Sequence, residues 1–292
     1  MWLRQILKFA IPLILVVALV LPIAGCGVTQ DKYDALQDEY DALQSQLTSV
    51  QNEYNDTKSK LASAQTELDQ TRGSNDALQK QASDLEDKLD TILDTQVMRY
   101  YNFNYKWWSY SWSLPIPLRT YFYYKELPRP GEYHALVTDS YSDNVMSIIS
   151  RELRDAALTY DLRKTDVVNL IAAFVCSLPH SDKEATTPFD GYPRYPVETL
   201  FDQGGDSEDN SILIAAILSR EEYDIVFFRF EQQKHMAVGV NLPAAGGYGW
   251  EYQGNKYYYL ETTEQNYELG ECPYDIRTVL STVQPVIVPV GH

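Results

Sequence analysis

The chain has 292 residues, of which 45% are hydrophobic and 22% are charged. Its formal net charge is −17 at pH 7, from 41 Asp and Glu against 24 Lys and Arg. Such an acidic excess repels the phosphate backbone of nucleic acid, so we expect no nucleic-acid partner. The four histidines are scattered and no cysteine pair has metal-ligand spacing, so we expect no metal and no other cofactor.

The chain begins with an export signal. A basic start precedes an almost unbroken apolar run over residues 9–22, which leads into Ile23-Ala24-Gly25-Cys26. This ending resembles a bacterial lipobox, so we predict a lipoprotein signal peptide over residues 1–25 and a lipid anchor on the sulfur of Cys26. The alternative is an uncut signal-anchor helix. Both place the remainder in the cell envelope, on the extracytoplasmic side of a bacterial membrane.

Residues 31–96 carry a heptad repeat. With Tyr33 at position a and Leu36 at position d, hydrophobic side chains recur at most a and d positions without a slip in the frame. The pattern predicts a coiled-coil stalk, which we assign with the lipidated N-terminus to residues 26–96. Asn75 at an a position favours register and dimer pairing over stability. The partner stays open between a second copy in a homodimer, another coiled-coil protein and the rest of this chain.

The composition changes at residue 97, where we place the start of a second domain, residues 97–292. Residues 99–131 are rich in Tyr and Trp between prolines, which favours strands or extended arms against a core over a platform for sugars or peptides. Amphipathic patterns predict helices at about 141–159 and 164–177.

The stretch GGDSED begins at Gly204 and predicts a helix start. Asp206 or Ser207 can cap this helix, and the apolar run from Ile212 to Leu218 predicts that it is buried. Ser207 is then expected at the positive end of the helix dipole. A cysteine there would be activated towards a thiolate, whereas a serine hydroxyl is too weakly acidic to respond.

Two strands follow the helix. KHMAVGV at 234–240 sets His235 on the face opposite a core-facing row, and KYYYLETT at 256–263 carries Glu261. Neighbouring strands can bring His235 and Glu261 together, and a carboxylate orients an imidazole and selects its tautomer.

The order Ser207, His235, Glu261, within GDSED, HMAVGV and YYYLETT, resembles the transglutaminase-like superfamily over about residues 99–275. The resemblance implies a papain-like fold, so the expected class is α+β, preceded by the coiled-coil helix. It also implies a nucleophile at position 207, with His235 as the base and Glu261 as the residue that orients it. The family usually has cysteine inside GDCED, and this chain has Ser207 instead.

Two function hypotheses follow. The first is a catalytically disarmed domain that binds a peptide or protein, or that scaffolds assembly at the envelope. The second is an active serine hydrolase, acyltransferase or peptidase in which Ser207 attacks, His235 is the general base and Glu261 orients it. We favour the first, because a thiol enzyme needs no proton removed from a neutral hydroxyl.

Other acidic and thiol groups have weaker claims to function. A calcium site at Asp206, Glu208 and Asp209 is disfavoured, because the spacing is not that of an EF-hand loop. Cys176 and Cys272 lie outside the nucleophile motif, and their sequence positions allow either a disulfide or two buried free thiols. We expect a structural role for Glu198, which ties the preceding loop to the helix start.

Overall fold

The computed structural model describes residues 29–180, 193–277 and 279, and the backbone of residues 282–285. The predicted signal peptide and Cys26 lie outside these ranges. No helix within them is both long enough and apolar enough to cross a bilayer.

A single helix, α1 (Gln30–Leu93), occupies the first 64 residues of the described part. It confirms the predicted long helix. None of its residues is buried, and the heptad leucines stand in solvent, with Leu36 64% and Leu61 68% exposed. The chain divides into two compact units between Asp84 and Leu85, so most of α1 belongs to the first unit. An exposed row of apolar a and d side chains is typical of a helix that pairs in a coiled coil. The pairing of α1 with a partner helix stays a prediction.

The second unit has a mixed α+β architecture, as predicted. Its helices are α2 (Leu118–Glu126), α3 (Tyr133–Val137), α4 (Asp143–Thr159), α5 (Lys164–Val175), α6 (Pro196–Asp202) and α7 (Ser207–Arg220). Its strands are β1 (Gln96–Tyr105), β2 (Trp108–Pro117), β3 (Ile225–Phe230), β4 (His235–Val240), β5 (Gly249–Tyr252), β6 (Asn255–Leu260) and β7 (Thr282–Pro285). β1 and β2 form an antiparallel hairpin, and the other strands form an antiparallel sheet in the order β5-β6-β4-β3-β7.

The aromatic segment is a strand hairpin followed by a helix. Every second side chain is buried along β2 and along the second half of β1, including Phe103 and Trp112, whose rings meet edge to face at 4.9 Å. This confirms the predicted core packing. The prediction of strands or extended arms is wrong for residues 118–126, which form α2. The alternation ends at Pro117, and the buried residues of α2, Thr120 and Tyr124, are instead one helical turn apart.

The sheet is covered on both faces. Met236, Val238 and Val240 of β4 belong to the main core, as predicted. The opposite face, where Ala237 lies, is buried in a second apolar cluster that includes Phe228 and Tyr259. His235 begins the strand at the edge of this second cluster and remains partly exposed. The sequence had suggested only one core-facing row.

Helix α7 lies at the centre of the main core. Residues 212–218 are each at most 1% exposed, and the helix packs against β4 and against α3, α5 and α6. This confirms the predicted buried helix. Because its apolar residues surround the axis, its first turn is held firmly between the sheet and the helices, and Ser207 is in that turn.

Candidate functional site

The N-terminus of α7 is fixed by Asp206, which is the N-cap residue. Its Oδ1 accepts from the N–H groups of Glu208 at 2.9 Å and Asp209 at 3.0 Å, and its carbonyl accepts from Asn210 N–H at 2.9 Å. Ser207 is the first helical residue and is 8% exposed. A side chain on Gly205 would place its Cβ 2.7 Å from the Cβ of Asp209, so only glycine fits before this cap.

The carboxylate of Asp209 joins α7 to the segment that precedes α6. It is fully buried and accepts from the backbone N–H of Arg194 at 2.8 Å, while the Arg194 guanidinium lies 3.7 Å away. The side chain of Glu208 accepts from the hydroxyl of Tyr133 at 3.0 Å, so all three acidic residues of this turn have structural contacts. Among the described residues, no group of three His, Cys, Asp or Glu side chains is arranged to hold a metal ion.

Ser207 meets β4 at the residue after His235. The hydroxyl oxygen of Ser207 accepts from the N–H of Met236 at 3.3 Å. His235 Nε2 lies 3.6 Å from Oε2 of Glu261 and 3.1 Å from the hydroxyl of Tyr259. The structure therefore brings His235 to Glu261 and brings Ser207 to the backbone of the residue that follows His235, and Nε2 is the imidazole nitrogen that contacts Tyr259 and Glu261.

The Glu261 carboxylate is buried and fully hydrogen-bonded. Oε1 accepts from Thr262 N–H at 3.0 Å and from Thr263 N–H and hydroxyl at 2.9 and 2.7 Å, and Oε2 accepts from Tyr259 at 2.6 Å. Burial raises the pKa of Glu261, but the hydrogen bond and charge of His235 and the donors from Tyr259 and Thr263 outweigh it and lower the pKa to about 2. Glu261 is therefore ionised. β6 ends at Leu260, three residues before the end of the predicted strand at Thr263, because the N–H groups of Thr262 and Thr263 donate to the Glu261 carboxylate.

Tyr259 is a site residue that the sequence analysis did not single out. Burial raises the pKa of its hydroxyl, and the charge and hydrogen bond of Glu261 raise it further, so the phenol keeps its proton. Its hydroxyl donates to Glu261 and lies within hydrogen-bond distance of His235, so Tyr259 positions both side chains. The signal was its position two residues before Glu261 on the same strand face.

A buried polar bracket sets the distance between α7 and the strands. Ser211 Oγ donates to the carbonyl of Met236 at 3.0 Å, and the hydroxyls of Ser211 and Thr262 are 3.1 Å apart. Thr262 Oγ1 reaches the same carbonyl at 2.9 Å, and Asn210 Nδ2 donates to Thr262 O at 2.9 Å. Because these groups are buried, their partners are costly to lose, so the bracket holds Ser207, His235 and Glu261 in register.

The two remaining cysteines are separate buried thiols. Of the two possibilities left by the sequence, the structure has free Cys176 and free Cys272. Burial raises the pKa of Cys176, whose Sγ lies 3.7 Å from Glu261 O, and it raises the pKa of Cys272 to about 11. Neither thiol is activated, so neither substitutes for a nucleophile at position 207.

Glu198 has the structural role expected of it, through different partners. It is fully buried in the first turn of α6, where it accepts from Tyr195 N–H at 2.9 Å. The Arg129 guanidinium forms a bidentate pair with it at 2.5 and 2.7 Å. The pair joins the segment after α2 to α6, a contact across 69 residues that no local pattern announces.

A second histidine also lies near the helix start. The backbone of His180 forms a parallel bridge with Gly205, just before the Asp206 cap. The sequence analysis did not place it there. The pairing between residues 180 and 205 depends on how the chain returns to α7, which sequence alone does not show.

The geometry is that of an oriented base beside a helix-terminal side chain. An ionised carboxylate and a tyrosine contact Nε2 of the imidazole ring, and the Ser207 hydroxyl contacts the backbone of the next residue along β4. With a thiol at that position, the arrangement could form a thiolate and imidazolium pair; with the serine present, it needs His235 to remove a proton from a neutral hydroxyl.

Comparisons with known proteins add little to this geometry. No protein-family model matches the chain, and no curated protein matches it. Among solved structures, the chain is similar to Legionella pneumophila LapG, with 15% identity and a TM-score of 0.30. The similarity covers 55% of this chain and 84% of LapG. A TM-score of this size does not establish a shared fold, so the resemblance to the transglutaminase-like superfamily stays a prediction from the sequence motifs.

Proposed function

We propose that the chain is an envelope lipoprotein whose second unit is a papain-like, transglutaminase-type domain that lacks a working nucleophile and binds a peptide or protein. The observation that carries the proposal is Ser207, set in the first turn of α7 beside an intact pair of His235 and Glu261. His235 and Glu261 are both held in place, but this pair does not activate a serine hydroxyl. The arrangement therefore favours binding over catalysis.

The surroundings of Ser207 favour binding over catalysis. Its oxygen already accepts from Met236 N–H, and 8% exposure leaves it little access to a substrate carbonyl. The N–H groups of Glu208 and Asp209 point to the Asp206 carboxylate, which reduces the positive potential that the helix end would offer to an alkoxide. A serine hydroxyl begins far less acidic than a thiol, so this site provides too little to ionise it.

An active serine hydrolase or acyltransferase is the alternative function. One observation favours it: Nε2 of His235 is held by Tyr259 and Glu261, so Nδ1 is left to serve as the base, as a catalytic triad requires. In this reaction Ser207 Oγ would attack a carbonyl carbon, its proton would pass to His235, and the leaving group would depart with that proton.

The stalk is proposed to pair in parallel and in register with a second copy of the chain. In that arrangement Glu53 at position g faces Lys58 of the second copy at position e, and Glu67 faces Arg72 in the same way. Every other g to e pairing lacks a like-charge clash. Asn75 then lies opposite its own counterpart, where the two amides can bond to each other. The exposed heptad side chains of α1 would be buried by this pairing.

A serine-directed fluorophosphonate probe separates the two functions. We expect the full chain to show no labelling above that of its Ser207→Ala variant, because the hydroxyl is not activated. An active serine hydrolase of known reactivity serves as the positive control for the probe. Labelling that disappears in the alanine variant would establish an activated Ser207 and replace the binding function with the hydrolase.

A further inference from the structure

The β1–β2 hairpin has two outer edges, and hydrogen-bond alternation decides which backbone groups each edge presents. Leu118 N–H donates to Thr95 O at 3.0 Å, in the same register as the ladder. Odd-numbered residues of β1 therefore bond to β2, and even-numbered residues turn their N–H and C=O groups to the free edge. The backbone N–H and C=O groups of Asn102 and Asn104 on this edge have no hydrogen-bond partner within the described part of the chain.

The two edges differ in their protection against a further strand. Pro115 and Pro117 of β2 lie at positions that face its outer edge. Proline has no N–H, which costs no hydrogen bond to β1 at these positions but leaves the outer edge without donors for a further strand. β1 contains no proline. The carbonyl of Tyr100 accepts from the Gln203 side chain at 2.8 Å, and beyond that residue the edge of β1 is open.

A cavity of about 410 Å³ lies along this open edge. Consecutive residues of β1 and its turn, 102–106, line one side. The α5 residues Ala172 and Ala173 also line it, and their small side chains leave room for a ligand backbone. Segment 264–268 forms the remaining wall. The volume is within the range of roughly 300–1,000 Å³ that is usual for ligand sites.

The charge of the cavity is negative. Glu264 and Glu268 line it, both are exposed, and neither has an ion-pair partner among the described residues. The lysine of the cavity, Lys106, is paired with Asp166 at 2.5 Å, which Arg163 also contacts at 3.1 Å, so the lining carries two glutamates against one lysine. A ligand that fills the cavity therefore gains most from positive charges placed against the glutamates.

We propose that this groove binds an extended peptide that contains Lys or Arg and that adds as a third strand to the free edge of β1. The free backbone groups of Asn102 and Asn104 lie about 7 Å apart, which matches the two-residue repeat of an extended peptide strand and not the repeat of a sugar chain. Glu264 and Glu268 receive the basic side chains. The site gives a chemical class to the peptide ligand of the proposed function, and it is separate from Ser207.

Hydrogen-exchange mass spectrometry on the full chain tests this site, with an octapeptide of alternating Lys and Thr as the probe. We expect the probe to slow exchange in residues 100–106, and an octapeptide of alternating Glu and Thr to leave it unchanged. Asn104→Pro removes an edge-facing N–H without breaking the ladder, so it should weaken binding by about tenfold or more. Ser113→Pro is the matched control, because it makes the same change on the outer edge of β2 and should bind normally.

The result also distinguishes this site from the proposed function. Ser207→Ala should bind the basic probe like the natural chain, whatever the fluorophosphonate result. If Asn104→Pro does not fold, the double variant Glu264→Gln and Glu268→Gln replaces it, with the same tenfold loss expected. Absence of protection by the basic probe, or equal binding to all variants, would overturn the proposal. Protection by a neutral oligosaccharide that Asn104→Pro does not affect would also overturn it.

Discussion

Glu261→Gln is expected to destabilise the second unit at neutral pH and to have much less effect in acid. Burial raises the pKa of Glu261, but His235, Tyr259 and Thr263 together lower it from 4.5 to about 2. The folded state therefore binds the proton more weakly than the unfolded state. The resulting stability is fully present above pH 4.5 and is lost as the pH falls through 2.

The magnitude follows from the two pKa values. The difference between 4.5 and about 2 corresponds to ~3 kcal/mol of unfolding free energy at neutral pH, to order of magnitude. The same relation leaves ~1.4 kcal/mol at about pH 3 and ~0.4 kcal/mol at about pH 2. Glutamine keeps an oxygen for the donors of Thr262 and Thr263 but has no charge to pair with His235.

Urea unfolding followed by tryptophan fluorescence measures this effect, because four of the five tryptophans lie beyond residue 97 and report on the second unit. The natural chain and Glu261→Gln are compared from pH 7 down to the lowest pH at which both still fold. Glu264→Gln, an exposed position on the same segment, is the control and should change stability by less than ~0.5 kcal/mol. A Glu261→Gln loss that stays constant between pH 7 and 3 would refute the charge-based account.

Three further predictions concern other parts of the chain. Mass spectrometry of the exported protein should find acyl chains on an N-terminal Cys26, and an intact Met1 terminus would contradict the lipobox. Sedimentation should show that residues 27–96 form a dimer, and circular dichroism should show that their helicity falls on dilution. A monomer at all concentrations would refute the paired stalk. Arg129→Met should destabilise the second unit by about 3 kcal/mol, the low end of the range for breaking a buried ion pair, because it leaves the buried Glu198 carboxylate with only Lys125, at 3.6 Å, as a cationic partner; denaturation detects this, and a loss below about 1 kcal/mol would contradict it.

Local patterns were enough to predict the scaffold around the site. The heptad frame predicted α1, the cap and apolar run predicted α7, and two-residue alternation predicted the two strands, β4 and β6, that lead to His235 and Glu261. These signals are periodic and lie within a few residues of one another, so they can be read without tertiary contacts.

The supports of the site could not be predicted in the same way. The hydroxyl of Ser211 meets Thr262 across 51 residues, and Arg129 meets Glu198 across 69. A serine in a helix or an arginine in a loop carries no signal of its distant partner. Helix α2 was missed because its aromatic residues favour strands, and its packing through Thr120 and Tyr124 overrides that propensity.

The central claim is that the cleft is built for a thiol and disarmed by serine, and the reactivity of Ser207→Cys tests it most directly. The rate of iodoacetamide alkylation would be measured on the full chain near pH 7, beside the natural chain and a Ser207→Cys, His235→Gln double variant. Peptide mapping separates labelling at position 207 from labelling at Cys26, and the background from Cys176 and Cys272 is low, because both are buried free thiols with raised pKa values. We expect fast labelling at position 207 that slows at least tenfold without His235. Labelling as slow as that of the buried cysteines, or a rate independent of His235, would contradict the account.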